Sequence, residues 1–226
     1  MNSIVENLKE IAGSLPEGVK LVAVSKTKPV EAIEEAYEAG QRVFGENRVQ
    51  ELAEKYEVLP KDIEWHMIGH LQTNKVKYMA AFVSLIHGVE SLKLLETIDK
   101  EGKKHDRVIP CLLQFYIASE ETKFGLDMEE AKALLESNDY KQMKNVKIVG
   151  VMGMATNTDD EVQVRREFHH LKEIFDELKA TYFAGTPEFK ELSMGMSGDY
   201  RIAVEEGSTM VRVGSSIFGA RNYANI

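Results

Sequence analysis

The sequence predicts an α/β fold, a single (β/α)₈ TIM-type barrel with an extra helix at its amino terminus. Short apolar runs rich in β-branched residues alternate with longer amphipathic stretches. This β-then-α alternation recurs eight times, which is the pattern of a parallel sheet covered by helices. Eight strands, eight helices and sixteen connections of ordinary length need roughly 208 residues. The chain has 226 residues, so the barrel nearly exhausts it, and a doubly wound open sheet is the alternative.

Strands are predicted where apolar residues form short runs, several of which are apolar on both faces, as a covered parallel sheet requires. In chain order they are residues 21–27, 41–47, 63–69, 82–89, 108–117, 147–155, 191–196 and 209–216. Functional groups of such a barrel lie at the carboxyl ends of its strands. The residues that end these runs are therefore the candidates for chemistry.

Helices are predicted where the apolar pattern has helical spacing. The extra helix covers residues 3–13, and the helix over residues 29–39 opens with a proline and closes before Gly40, which suits the two ends of a helix. Asp160 or Thr158 is expected to cap the last long helix. The remaining clear helical stretches are residues 91–100, 128–137 and 161–181.

Composition excludes several classes of partner. Lys and Arg total 28 against 37 Asp and Glu, so the formal net charge is −9, the wrong sign for binding a phosphate backbone, and no nucleic-acid partner is expected. The single cysteine, Cys111, cannot form an intrachain disulfide, which favours a reducing compartment. The first residues lack a signal-peptide pattern, and the longest apolar stretch, residues 78–86, is too short to span a bilayer. We therefore expect a cytoplasmic protein with no membrane partner.

The sequence also predicts the number of domains and whether a metal or nucleotide site is present. No linker, low-complexity tract or repeat divides the chain, so residues 1–226 are expected to form one domain, and the acidic surface of a self-contained barrel favours a monomer. His66 and His70 are four residues apart, but residues 65–69 are predicted as strand, so the two histidines do not share a helical face and no metal site is predicted. Neither of the common glycine-rich nucleotide-binding patterns is present.

Lys26 is the first candidate functional residue. It follows an apolar run and would share a strand face with Val22 and Val24, where partial desolvation lowers the pKa of its ammonium and favours a Schiff base with a carbonyl. The alternative is that the strand ends at Ser25 and the Lys26 side chain extends into water. Lys28 precedes a proline and is expected to be solvated.

Arg212 and the small residues near it form a second candidate group. Arg212 lies inside a run otherwise fit for a buried strand, so its guanidinium needs acceptors, either a ligand or a carboxylate such as Glu46. Ser197 follows the seventh strand, and Gly214 and Ser215 follow the eighth, with free backbone N–H groups. Small residues at this place in a barrel are typical of a phosphate site.

Five motifs at these same positions resemble the pyridoxal phosphate homeostasis protein family, which is related to the barrel domain of alanine racemases. The motifs are AVSKTKP at 23–29, FGENRVQE at 44–51, WHMIGHLQTNK at 65–75, LSMGMSGDY at 192–200 and VRVGSSIFG at 211–219. They occur in the order of the family and span nearly the whole chain. The resemblance implies a (β/α)₈ barrel that binds pyridoxal 5′-phosphate (PLP).

The resemblance also implies roles for individual residues. PLP is expected as a Schiff base on Lys26, with its phosphate bound by Ser197 and by the backbone amides of Gly214 and Ser215. Arg212 is then expected to face the pyridine nitrogen. Asn47 and Met194 complete the expected cofactor-binding set, and no residue is assigned as catalytic.

The sequence favours a protein of PLP homeostasis over a PLP-dependent enzyme such as an amino-acid racemase. Arg212 can only donate, so the pyridine nitrogen is expected to accept and to stay unprotonated, which makes PLP a weak electron sink. The related racemases take a second proton-transfer group from another domain, whereas this sequence ends seven residues after Gly219. Expected partners are PLP, other B6 vitamers and PLP-dependent apo-enzymes. A PLP-free aldolase with a Schiff-base lysine is a third reading.

Overall fold

The protein is a closed barrel of eight parallel strands in a computed structural model that describes residues 3–120 and 124–220. The strands are β1 (Lys20–Val24), β2 (Val43–Glu46), β3 (Glu64–Met67), β4 (Leu85–Val89), β5 (Ile109–Gln114), β6 (Val146–Met152), β7 (Glu191–Ser193) and β8 (Met210–Val213). Each strand pairs with the next one along the chain, and β1 pairs with β8 to close the barrel. The predicted barrel is confirmed, and the open-sheet alternative is wrong.

Helices surround the barrel and connect its strands. They are α1 (Ile4–Ser14), α2 (Val30–Glu38), α3 (Val49–Val58), a 3₁₀ helix (Thr73–Tyr78), α4 (Leu92–Lys104), α5 (Met128–Glu136), α6 (Asn138–Gln142), α7 (Glu161–Ala180), α8 (Tyr200–Glu205) and α9 (Ser215–Phe218). In the part of the chain that the structure describes, no helix is both long enough and apolar enough to cross a membrane.

The predicted strands are all present, but most of them end earlier than expected. The first predicted strand, residues 21–27, includes three residues too many, because β1 ends at Val24. Thr27 has a φ of 62°, in the left-handed region that a β-branched residue avoids and that no strand contains. The residues beyond the strand ends form the loops of the barrel mouth instead.

Side-chain caps form at the starts of α1 and α7. Ser3 forms a capping box with Glu6 at the start of α1, as a Ser-x-x-Glu sequence predicts. Asp160, rather than Thr158, caps α7 by accepting from two backbone N–H groups. The connection between β3 and β4 departs from expectation, because only a 3₁₀ helix lies there in place of a full α-helix.

The interior of the barrel holds a small apolar cluster that is separate from the larger core between sheet and helices. Its buried members are Val22, Leu85, Leu112, Met152 and Met210. Alternate residues of a strand point to the same side, so the residue two places after Met210, which is Arg212, also points inward. The strand register therefore directs polar side chains into the barrel beside this cluster.

Candidate functional site

A cavity of about 450 Å³ opens at the carboxyl ends of the barrel strands, a volume within the usual range of small-molecule sites. Six of the seven residues predicted for cofactor binding line it. They are Lys26, Asn47, Ser197, Arg212, Gly214 and Ser215. The seventh, Met194, is fully buried in the large hydrophobic core and is not part of the cavity wall.

Lys26 lies in a turn directly after β1 and is half-buried in the cavity wall. Hydrogen bonds hold the residues immediately before and after Lys26. Lys55 Nζ donates to the carbonyl oxygen of Ser25 over 2.8 Å, and Glu51 Oε1 accepts from the N–H of Thr27 over 2.6 Å. The left-handed conformation of Thr27 costs about 1–3 kcal/mol, which these contacts offset. The backbone that presents Lys26 is thereby fixed.

The contacts that fix this turn come from a buried group of charges. Lys55 Nζ lies 2.6 Å from Glu46 Oε1 and 2.7 Å from Glu51 Oε1, and the side chain of Glu46 is wholly buried. Burial raises the pKa of Glu46 to about 7, although the charge of Lys55 opposes that shift. Ser25 Oγ also donates to Glu46 Oε1 over 2.7 Å. Glu46 thus pairs with Lys55, and the alternative that it neutralises Arg212 is wrong.

Arg212 is buried at the base of the cavity and is held by neutral acceptors. Its Nη1 donates to Ser193 Oγ over 2.5 Å, and its Nη2 donates to the carbonyl oxygen of Gly153 over 3.2 Å. Burial lowers the pKa of Arg212 to about 10, and the charge of Asp199 opposes the shift, so the guanidinium is cationic at neutral pH. Among residues 3–120 and 124–220, no carboxylate lies within 4 Å of it.

The loops after β7 and β8 meet through Ser197. The N–H of Gly214 donates to Ser197 Oγ over 3.2 Å, and the N–H of Ser216 does so over 3.5 Å. A Cβ at Gly214 would lie 3.1 Å from the carbonyl oxygen of Val24, so glycine allows the close approach of this loop to β1. A hydroxyl and backbone N–H groups therefore converge on one wall of the cavity.

Lys28 is not the solvated loop residue that the sequence predicts. It is half-buried in the cavity wall, and its Nζ donates over 3.1 Å to each of the carbonyl oxygens of Phe218, Gly219 and Ala220. Three donors of an ammonium match three acceptors at the end of α9, which could not be read from sequence because the partners are about 190 residues away. Lys28 thereby ties the loop after β1 to the loop after β8.

Gln114, Met154 and Met196 of the wall were not identified from the sequence, whereas His70 and Tyr116 were considered as bases for an enzyme. Gln114 ends β5 as the first polar residue after an apolar run, a signal of the kind used for the other strands. Met154 and Met196 are partly exposed at the rim. His70 also lines the cavity, and its Nδ1 lies 3.1 Å from Glu90 Oε1. Tyr116 lines a smaller neighbouring cavity of about 210 Å³.

Comparison with known proteins agrees with this geometry. Residues 1–222 match the family described as alanine racemase, N-terminal domain. The pyridoxal phosphate homeostasis protein of Aquifex aeolicus (strain VF5) is 42% identical over 220 residues, which cover 97% of this chain and 94% of that protein. The structure of PipY of Synechococcus elongatus PCC7942 with PLP bound has a TM-score of 0.85 and 37% identity, covering 96% of this chain and 100% of PipY.

A more distant structure shares the fold alone. Alanine racemase from Bartonella henselae has a TM-score of 0.73 at 18% identity, covering 98% of this chain and 60% of the racemase. The fold and the family match thus define this chain as a barrel of the alanine racemase N-terminal type. Within that class, the chain belongs to the family of pyridoxal phosphate homeostasis proteins, and the resemblance carried by the five motifs is confirmed.

The buried carboxyl of Glu46 gives a prediction for stability. Its pKa is raised from 4.5 to about 7 on folding, so the folded state binds the proton more tightly and loses stability as pH rises through this window. At roughly 1.4 kcal/mol per pKa unit, the loss by pH 7.5 is on the order of 3 kcal/mol. Glu46→Gln removes this titration, so its free energy of unfolding relative to wild type is expected to rise between pH 4.5 and pH 7.5.

Denaturant unfolding at several pH values measures that difference. Glu54→Gln is the matched control, because Glu54 lies on α3, the helix that follows β2, where its exposed carboxylate accepts from the exposed Gln50 side chain. Its difference from wild type is expected to be flat over the same range. A flat difference for Glu46→Gln as well would contradict the raised pKa of Glu46.

Proposed function

We propose that this protein binds PLP as a Schiff base on Lys26 and acts in PLP (vitamin B6) homeostasis, without robust catalytic turnover. One observation carries the proposal: Lys26 and the buried, cationic Arg212 line the same cavity as the small residues of the loops after β7 and β8. When bound, PLP supplies an aldehyde that condenses with a primary amine and a ring that can stabilise negative charge. The relatives named for PLP homeostasis support the same reading.

The donor set fits a phosphorylated pyridine. Arg212 is a buried cation, and two of its five N–H donors have partners among the described residues, so the remaining donors are available to a ligand. A buried charge of this kind is costly unless it is paired or hydrogen-bonded. We assign Ser197 Oγ and the N–H groups of Gly214 and Ser215 to the phosphate, which would replace Ser197 Oγ as the acceptor of the Gly214 N–H. Asn47, in the same wall, is assigned to the edge of the ring.

Arg212 favours a homeostasis role over catalysis. A guanidinium donates and does not accept, so a pyridine nitrogen that contacts Arg212 must accept and stay unprotonated. PLP enzymes that need a strong electron sink secure a protonated nitrogen with an acidic partner. Arg212 in this position thus limits carbanion chemistry. The names of the relatives indicate homeostasis rather than catalysis, in agreement with this argument.

The alternative is a PLP-dependent enzyme, such as an amino-acid racemase. It has one observation in its favour, because His70 lines the cavity and pairs with Glu90, which makes it a candidate for proton transfer. General acid–base catalysis by such a group contributes roughly 10²–10⁴-fold. A measurement of α-proton exchange separates the two functions.

The proposal extends to the compartment, the oligomeric state and the partners of the protein. We infer that the protein acts in the cytoplasm as a monomer, where it exchanges PLP with PLP-dependent apo-enzymes and takes up other B6 vitamers. An aldehyde ligand held by a reversible bond to one lysine can be released intact, which a carrier requires. A cavity that opens directly at the barrel mouth supports such exchange.

Lys26→Ala is expected to abolish the covalent attachment of PLP, because this side chain is the amine assigned to the aldehyde. The measurement is the visible spectrum before and after borohydride reduction, followed by mass spectrometry of the labelled peptide. Lys75→Ala, in the exposed 3₁₀ helix, is the control and is expected to keep the adduct. A reducible adduct on Lys28 or Lys75 at wild-type occupancy in Lys26→Ala would show that the assignment is wrong.

Ser197→Ala is expected to weaken PLP binding by about tenfold or somewhat more, because a charge-assisted hydrogen bond contributes roughly 1.5–3 kcal/mol. Pyridoxal, which lacks the phosphate, should lose much less, so the ratio of the two dissociation constants should fall. Equilibrium titration of both ligands measures that ratio. An equal loss for both ligands would argue against a phosphate contact at Ser197.

The protein with PLP bound is expected to show negligible racemase, transaminase or decarboxylase turnover on common amino acids. Arg212 leaves the ring a weak electron sink, so only slow residual reaction should remain. Incubation with single L-amino acids in deuterated water measures α-proton exchange directly. Rapid exchange that depends on PLP and disappears in both Lys26→Ala and His70→Gln would establish the alternative, an enzyme that uses His70.

A further inference from the structure

Four polar side chains form a continuous hydrogen-bonded chain across the interior of the barrel. His66 Nδ1 lies 2.9 Å from His87 Nε2, and His87 Nδ1 lies 2.9 Å from Ser193 Oγ. Ser193 Oγ accepts from Arg212 Nη1 over 2.5 Å. The four residues come from β3, β4, β7 and β8, and all of them are buried. We call this set the interior polar chain.

The surroundings make the interior polar chain unusual. It lies beside the apolar cluster inside the barrel, where an unpaired polar group costs several kcal/mol of folding free energy. Three apolar side chains in place of His66, His87 and Ser193 would fill the same space without that risk. Buried polar groups of this kind fix one arrangement of their neighbours when every hydrogen bond is made. The neighbour at the cavity end is Arg212.

Both histidines of the interior polar chain are neutral. Burial lowers the pKa of His66 to about 3, with a smaller contribution from the charge of Lys20. Burial also lowers the pKa of His87 well below its usual value, and His66 and Arg212 add to that effect. Each imidazole therefore has one N–H donor and one acceptor nitrogen.

Because both rings are neutral, the hydrogen bonds of the interior polar chain can have only one donor-to-acceptor order. Arg212 only donates, so Ser193 Oγ accepts from it, and the hydroxyl proton of Ser193 must go to another acceptor. Among the described residues, His87 Nδ1 is the one acceptor for this proton. The proton of the His87 ring is therefore on Nε2. His87 Nε2–H then donates to His66 Nδ1, and His66 is protonated on Nε2. The reverse order would leave the hydroxyl proton of Ser193 without an acceptor.

We propose that His87 and His66, acting through Ser193, are positioning residues that hold the Arg212 guanidinium in the orientation in which it donates to the pyridine nitrogen of bound PLP. The role deepens the proposed function and rests on it. Ser193 and the carbonyl of Gly153 hold Nη1 and Nη2, so the plane of the guanidinium is set by two separate segments. The remaining donors are left for the cavity.

The neutrality of these acceptors has a consequence for charge. A carboxylate at the place of Ser193 would also orient Arg212, but it would neutralise the positive charge that keeps a neighbouring pyridine nitrogen unprotonated. Asp199 is the acidic residue whose charge acts on Arg212. An Arg212 released from Ser193 would be free to turn toward that carboxylate. The interior polar chain therefore preserves both the direction and the full charge of the guanidinium.

The first test uses the protein without PLP. Two-bond ¹H–¹⁵N spectra of the histidine rings report the tautomer and charge of each ring between pH 5 and pH 9. His66 and His87 are expected to be neutral Nε2–H tautomers throughout, while the half-exposed His70 provides an internal control whose signals report a solvent-facing ring. A charged ring, or an Nδ1–H tautomer of His87, would overturn the proposed chain. This result does not depend on whether PLP binds.

The second test measures the bound ring directly. With ¹⁵N-labelled PLP, the pyridine nitrogen signal of the wild type is expected at the unprotonated position at pH 6.5. Ser193→Ala and His87→Phe are expected to move it toward the protonated position, while borohydride still labels Lys26. Ser193→Thr, which keeps a hydroxyl, is expected to restore the wild-type signal, and His105→Gln, at the exposed end of α4, serves as the control.

The two tests separate the two proposals. A pyridine nitrogen that stays at the wild-type position in Ser193→Ala would overturn the positioning role, even if PLP binding is weaker, because a merely structural effect weakens binding without moving that signal. Wild-type protein that fails to bind PLP would overturn the proposed function and the positioning role together. The tautomers of His66 and His87 would still decide whether the interior polar chain exists.

Discussion

The pairing of β1 with β8 is the interaction on which the site depends. It closes the sheet, so that the carboxyl ends of all eight strands surround one opening. Val22 of β1 lies opposite Arg212 of β8 in this pairing, and Lys26 follows β1 by two residues. The pairing therefore brings the candidate amine and the buried guanidinium to the same cavity, although 186 positions separate them in the sequence. An open sheet would place β1 and β8 on different edges.

Charge is distributed unevenly between the cavity and the rest of the protein. The chain has a formal net charge of −9, yet Lys26, Lys28 and Arg212 line the cavity. Two sets of contacts hold that wall in place. The buried pair of Glu46 and Lys55 fixes the turn that presents Lys26, and Lys28, which is itself in the wall, holds the end of α9. The cavity wall therefore carries positive charge although the chain as a whole is acidic.

The inside of the barrel combines two kinds of packing. Apolar side chains from alternate strand positions form a small cluster, as the filled interior of such barrels requires. Beside it, His66, His87 and Ser193 form hydrogen bonds that reach Arg212 without a formal charge. Strand alternation explains why both kinds occur, because Leu85 and His87 of β4 lie two positions apart and point to the same side, as do Met210 and Arg212 of β8. Arg212, at the bottom of the cavity, is thus held by hydrogen bonds to other residues of the barrel interior.

The sequence by itself determined the barrel, the order of its strands and six residues of the cavity wall. These features depend on local patterns, namely apolar runs of strand length and the residue types at their ends. Only the tertiary structure decided that Glu46 pairs with Lys55 rather than Arg212, and that Lys28 contacts the end of α9. Those partners, and the interior polar chain, join residues from strands and helices distant in sequence. Their distances are set by the register and closure of the whole barrel, which no local pattern specifies.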